Sequence, residues 1–179
     1  MLDKIKKLFT KEAPQTNLSI KELKVGYIVD YFMESWEVKS HSEYSFDGGS
    51  YGAEFLIDNG KRKQFLYVEE DGTLDHITLS ETVAINSIDP AIRTQIINTD
   101  NAPDTFDYQG EAYFFVECSA GLFKDFKAKE EDASEFVMYD FKNKAEDKFI
   151  SITRWSETEL EAAAGQSINE YEFSNILPK

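Results

Sequence analysis

The sequence predicts a mainly β fold, an antiparallel barrel or sandwich of around ten strands built from meanders. Three observations predict it. Fourteen Phe and nine Tyr stand in 179 residues, and such rings suit a pleated, half-buried surface. From Leu23 onward, apolar and polar residues alternate with the period of a strand. Turn signals such as Asp47-Gly48-Gly49, Asn59-Gly60 and Asp71-Gly72 punctuate that alternation. Hydrophobic residues make up 41% of the chain, enough for a sizeable core.

Residues 1–12, MLDKIKKLFTKE, break the pattern. Leu2, Ile5, Leu8 and Phe9 recur at helical spacing among four lysines, which predicts an N-terminal amphipathic helix. It could dock on its own domain, bind a partner, or make a weak peripheral contact with a membrane. Residues 13–22 read as a linker, and 23–179 as a single β-rich domain.

Strands are predicted over Val25–Phe32, continuing through Trp36-Glu37-Val38, then Tyr51–Ile57 and Phe65–Val68. Asp58-Asn59-Gly60-Lys61 between the last two is the strongest hairpin signal, because Asn-Gly accepts the positive φ of a type I′ turn. Leu74–Leu79 follows, with an extension at Val83–Ile85. Asp89-Pro90 reads as an N-cap and first helical residue, so a short helix is predicted over 90–98. Thr99–Tyr108 reads as a polar loop. Strands resume at Glu111–Cys118, Phe123–Phe126, Glu135–Phe141 and Lys148–Trp155; Leu160–Ala164 fits a strand or a helical turn, and the tail from Tyr171 a short helix or strand.

The halves, about 23–98 and 105–179, echo each other at a spacing of about 80 residues, which suits two similar β units on one core. Glu34–Val38 is answered by Glu111–Phe115, Glu54–Asp58 by Glu135–Tyr139, and Gln64–Val68 by Lys148–Ile152.

The formal charge is −15. Such a surface repels phosphate backbones, so no nucleic-acid partner is predicted. The lone cysteine, Cys118, lies in an aromatic run that reads as a buried strand, and so as a packed thiol. No apolar run approaches the roughly 18 residues of a membrane span, and no secretory h-region is seen. The expected compartment is the cytoplasm.

The chain resembles the bacterial family called domain of unknown function 4178. The likeness runs from Leu23-Lys24-Val25-Gly26 through Trp36-Glu37-Val38, Glu54-Phe55-Leu56 and Phe65-Leu66-Tyr67-Val68. It continues in Tyr139-Asp140-Phe141, Ile150–Trp155, Glu159-Leu160-Glu161-Ala162 and Gly165, and closes at Ile176-Leu177-Pro178. The resemblance implies a β-rich intracellular bacterial protein in the company of membrane-stress proteins. It carries no activity to any residue.

No catalytic residue, metal ligand or cofactor site is predicted. His41 and His76 are the only histidines, and no Cys/His set, nucleophile elbow or phosphate loop is present. Four side chains are candidates for a binding surface. Trp36 and Trp155 are of the type enriched in hot spots, and Glu54 and Glu135 each open an aromatic strand where burial could raise a carboxyl pKa. The predicted function is a non-enzymatic binding or adaptor module with a protein partner. Two other readings stand beside it: an acidic inhibitor or immunity-type protein that neutralises a basic partner, and an enzyme of unrecognised type.

Overall fold

The computed structural model describes residues 18–70 and 75–178. Its order is β1 (Ile28–Tyr31), β2 (Glu34–Phe46), β3 (Tyr51–Asp58), β4 (Lys63–Glu70) and β5 (Asp75–Val83), followed by α1 (Ile85–Ile88) and α2 (Pro90–Thr99). Then come β6 (Thr105–Tyr108), β7 (Glu111–Asp125), β8 (Ser134–Asn143), β9 (Lys148–Arg154), β10 (Leu160–Ser167) and β11 (Phe173–Leu177). The predicted N-terminal helix, with Leu2, Ile5, Leu8 and Phe9, lies outside the described residues, as do the Asp71-Gly72 turn and Leu74.

The eleven strands of the described residues form one antiparallel sheet. Two five-stranded meanders, β1–β5 and β6–β10, are joined where β5 pairs with β10 and again where β2 pairs with β7. Eight strands therefore follow one another in a ring: β2, β3, β4, β5, β10, β9, β8, β7 and back to β2. At the second junction the backbones come so close that a Cβ on Gly121 would meet the Ser45 carbonyl. Only glycine fits there.

The meanders resemble each other down to their irregularities. β1 and β2 are linked by Phe32-Met33, both at positive φ, and β6 and β7 by Gln109-Gly110, again both positive. Two-residue hairpins need that geometry to match strand twist. β2 bulges between Val38 and Ser40, and β7 between Phe115 and Glu117. Trp36 and Tyr113 hold corresponding places, as the sequence echo predicts, and both are buried. In the next strands Phe55 and Ile57 correspond to Tyr139 and Phe141, so Glu54 matches Met138 and not the predicted Glu135.

Along each ring strand one parity of side chains is apolar. In the first meander Phe55, Ile57, Leu66, Val68, Ile77 and Leu79 pack with Trp36 and Val38, covered by Ile20, Val29, Tyr31 and Phe173. In the second, Tyr139, Phe141, Ile150, Ile152 and Ala162 pack beneath Ile88, Ile92 and Ile96 of the helices and Phe106 of β6. Each buried isoleucine contributes roughly 1.5–3 kcal/mol, more than a ten-residue helix supplies on its own. Asp89 caps α2 by accepting from the Ala91 N–H at 2.8 Å.

Several expectations are corrected. Ile20 lies in a capped 3₁₀ turn and is 1% exposed, so the predicted linker ends in core. The first strand starts only at Ile28, because Gly26 turns at positive φ. At the Asn59-Gly60 hairpin only Gly60 has positive φ. Asn59 instead bends the loop with its side chain, accepting from the Lys61 and Arg62 N–H groups at 3.0 and 2.9 Å. Ile85 begins α1, the predicted polar loop contains β6, and the two strands expected at 111–126 are the single strand β7. Leu160–Ala164 is strand, and runs on through Gly165.

Candidate binding cavity

The second parity of the ring strands faces inward, around a cavity of about 750 Å³. That is within the size range of small-molecule sites. Its walls mix three chemistries. Phe46, Phe65, Phe123, Phe149 and Trp155 supply rings; Thr78, Ser80, Ser151 and Thr153 supply hydroxyls; Glu54, Glu69, Asp140 and Glu161 supply carboxylates. Thr78, Ser80 and Thr153 are buried although polar, because the ring interior and not bulk water is what they meet.

Glu54 reaches the cavity from β3. Burial pushes its carboxyl up to about 7, and the neighbouring Glu161 charge adds to the push. The Tyr44 hydroxyl donates to Glu54 Oε1 at 3.5 Å and opposes the rise. Asp140, on β8, is pushed up to about 6, chiefly by burial, while a hydrogen bond from the Ser151 hydroxyl opposes it. Glu54 thus sits near half-protonation around neutrality whereas Asp140 is mostly ionised there, and both lie above the surface carboxylate range.

The Tyr67 phenol lines the same cavity, within reach of the charges of both acids. Burial and then the charges of Glu69, Asp140 and Glu54 raise its pKa. Its buried oxygen has no hydrogen-bond partner among the described residues. Room for the phenol exists because residue 52 is glycine; a Cβ there would collide with the Tyr67 hydroxyl.

At the β2–β7 junction Tyr44 and Phe123 are paired across the strands, their rings 4.9 Å apart. Trp155 packs on Phe123 at 5.2 Å and donates from Nε1 to Glu161 Oε2 at 3.2 Å. Rings and acids therefore share one end of the cavity.

Of the predicted surface, Glu54 and Trp155 are brought into this cavity. Trp36 is not a surface residue. It is fully buried, donating to the Tyr31 carbonyl at 3.4 Å under the Arg62 guanidinium. Glu135 is exposed and does not line the cavity. Cys118, expected to be packed, is exposed on β7 at the cavity wall, with its thiol pushed up by burial and by Asp140. His76 also lines the wall, whereas His41 is stacked between Phe55 and Phe126. No group of three or more His, Cys, Asp or Glu among the described residues could hold a metal ion.

Sequence reasoning missed Tyr44, Tyr67, Phe123, Asp140 and Glu161. A usable signal was present: the second, polar parity of β5 and β9 carries small hydroxyls where a solvated face usually carries Lys and Glu.

Fold and site define a class, a closed antiparallel β ring with a ligand-sized polar and aromatic interior. The chain belongs to the family described as domain of unknown function (DUF4178), which matches residues 24–170. It is similar to an uncharacterised protein of Aquifex aeolicus (strain VF5), 29% identical over 183 residues, covering 99% of this chain and 98% of that protein. No solved structure gives a significant match. No described helix is long and apolar enough to cross a membrane.

Proposed function

We propose that the chain is a non-enzymatic binding module that encloses a small ligand inside its ring. One observation carries the reading: about 750 Å³ of unfilled space walled by partly paired polar groups. Protein interiors otherwise close-pack, and an unpartnered buried hydroxyl costs about 1–3 kcal/mol. A ligand that meets the Tyr67 oxygen would remove that cost.

The arrangement favours binding over bond-making. The buried acids are bonded to hydroxyls of Tyr44 and Ser151, and no described hydrogen bond links His76 to a hydroxyl or thiol. The Cys118 thiol is held above its ordinary value, which works against a thiolate nucleophile.

The role of adaptor to a protein partner draws support from a different feature. Phe114, Phe115 and Val116 are consecutive and exposed on β7, with Leu122 and Phe126 further along. Such exposed apolar patches often mark protein contacts.

Fragment screening by two-dimensional amide NMR tests the cavity reading. Fragments should perturb resonances of Glu54, Tyr67, Thr78 and Asp140, and Ala163→Phe, which fills the ring, should abolish those changes while the spectrum stays folded. Fragments that map only outside the ring would overturn it.

A further inference from the structure

We propose that the enclosed ligand is an organic cation, its ammonium group lying between the carboxylates of Glu54 and Glu161 against the rings of Tyr44, Phe123 and Trp155. The inference rests on the cavity being a ligand site and adds the class of ligand.

Three features of the paired acids converge on positive charge. Glu54 and Glu161 face one space closely enough for the charge on one to hold a proton on the other. Neither has a Lys or Arg partner among the described ion pairs, although several of those pairs lie in plain solvent. Their hydrogen bonds are few: Glu54 accepts one, from Tyr44 at 3.5 Å, and Glu161 one, from Trp155 at 3.2 Å. A cation beside Glu54 would supply the countercharge that a buried carboxylate lacks, with Glu161 at the rim adding to the attraction.

The walls fit the same ligand. Tyr44 and Trp155 meet the acids with their O–H and Nε1–H edges, and Phe123 packs on both rings at 4.9 and 5.2 Å; ring faces attract an ammonium within about 6 Å of their centroids. The Tyr67 oxygen, buried and unpartnered, is an acceptor without a donor, and a cation with N–H or polarised C–H groups is a donor. An anion would meet Glu54 and Glu161 at this end, while the lining lysines, Lys142 and Lys148, lie toward Asp140 and Glu111. The overall charge of −15 also draws cations toward the protein.

Matched isosteres test the inference on the full chain by calorimetry and amide NMR. Choline is compared with 3,3-dimethylbutan-1-ol, and benzylamine with benzyl alcohol and benzoate. The cations should bind about tenfold or more tightly than their neutral partners and shift resonances of Tyr44, Glu54 and Trp155. Glu161→Gln, at the exposed rim and safe for folding, should weaken choline and benzylamine about tenfold and leave the alcohols unchanged; Glu54→Gln should do so more strongly. Alcohols binding inside the ring as well as the cations would overturn the ligand class and leave the cavity reading standing. Failure of cations, alcohols and benzoate alike to shift any ring residue would overturn both.

Discussion

The Tyr44 hydroxyl donates to the Glu54 carboxylate at 3.5 Å inside a ring of strands, and this one long bond is all that the Glu54 side chain receives among the described residues. An acid so placed is poorly compensated in its charged form, which sets the first expectation.

Burial raises the folded-state pKa of Glu54 to about 7 from an ordinary 4.5. The folded protein therefore holds this proton more tightly than the unfolded chain does. Stability linked to the group is full below about pH 4.5, declines as pH rises, and is lost above about 7. Tyr44, Tyr67 and Glu161 are the titratable groups facing it from β2, β4 and β10. Glu54→Gln, which stays neutral, should stabilise the protein by on the order of 3 kcal/mol at pH 8 and give little gain at pH 4.5. Urea midpoints measured at the two pH values check this; a gain that grows toward acid pH would contradict it.

The orphan hydroxyl of Tyr67 has a similar signature. Tyr67→Phe keeps the ring and removes the buried unpaired oxygen. It should raise stability by about 1 kcal/mol in chemical denaturation while weakening whatever ligand the cavity holds. Lost stability would show that the oxygen has a partner after all.

Ring closure depends on Gly121. Gly121→Ala drives a methyl into the Ser45 carbonyl, whereas Gly48→Ala meets open space. The first should cost about 1–3 kcal/mol and speed amide exchange along Tyr44–Phe46 and Gly121–Phe123, and the second should do neither. Equal behaviour in hydrogen exchange would mean that β2 and β7 do not pair tightly.

The Phe32-Met33 turn holds two non-glycine residues at φ of 52° and 62°. Met33 is fully exposed, so Met33→Gly loses no packing and relieves a left-handed residue worth roughly 1–2 kcal/mol. Part of that is offset by the added freedom of the unfolded chain. A net gain of about 0.5–1 kcal/mol is expected from the thermal midpoint, with no effect on ligand binding.

The fold was largely legible because strand parity and turn residues are local signals. The α2 cap at Asp89-Pro90 and the β3–β4 hairpin lie where their sequences place them. The likeness of Trp36 to Tyr113 was legible too, since turn and bulge recur at the same distance from each. The match of Glu54 to Glu135 failed because the β2–β3 turn is short, whereas the β7–β8 connection includes a 3₁₀ turn at Glu130–Asp132, which shifts the strand letters against the register. The cavity was not legible. Whether Thr78, Ser151 and Glu54 meet water or one another depends on β5 pairing with β10 and β2 with β7, contacts between residues far apart in the chain. Only Glu54, an acid beside a core, and the small hydroxyls along β5 and β9 carried a local hint.

The most direct measurement is the pH titration of the Glu54 side-chain carboxyl ¹³C resonance, assigned by comparison with Glu54→Gln, with and without choline. An enclosed, uncompensated carboxylate awaiting a cation should titrate near pH 7 in the free protein, with the midpoint falling when choline is present. A midpoint near 4.5 that choline leaves unmoved would contradict the account.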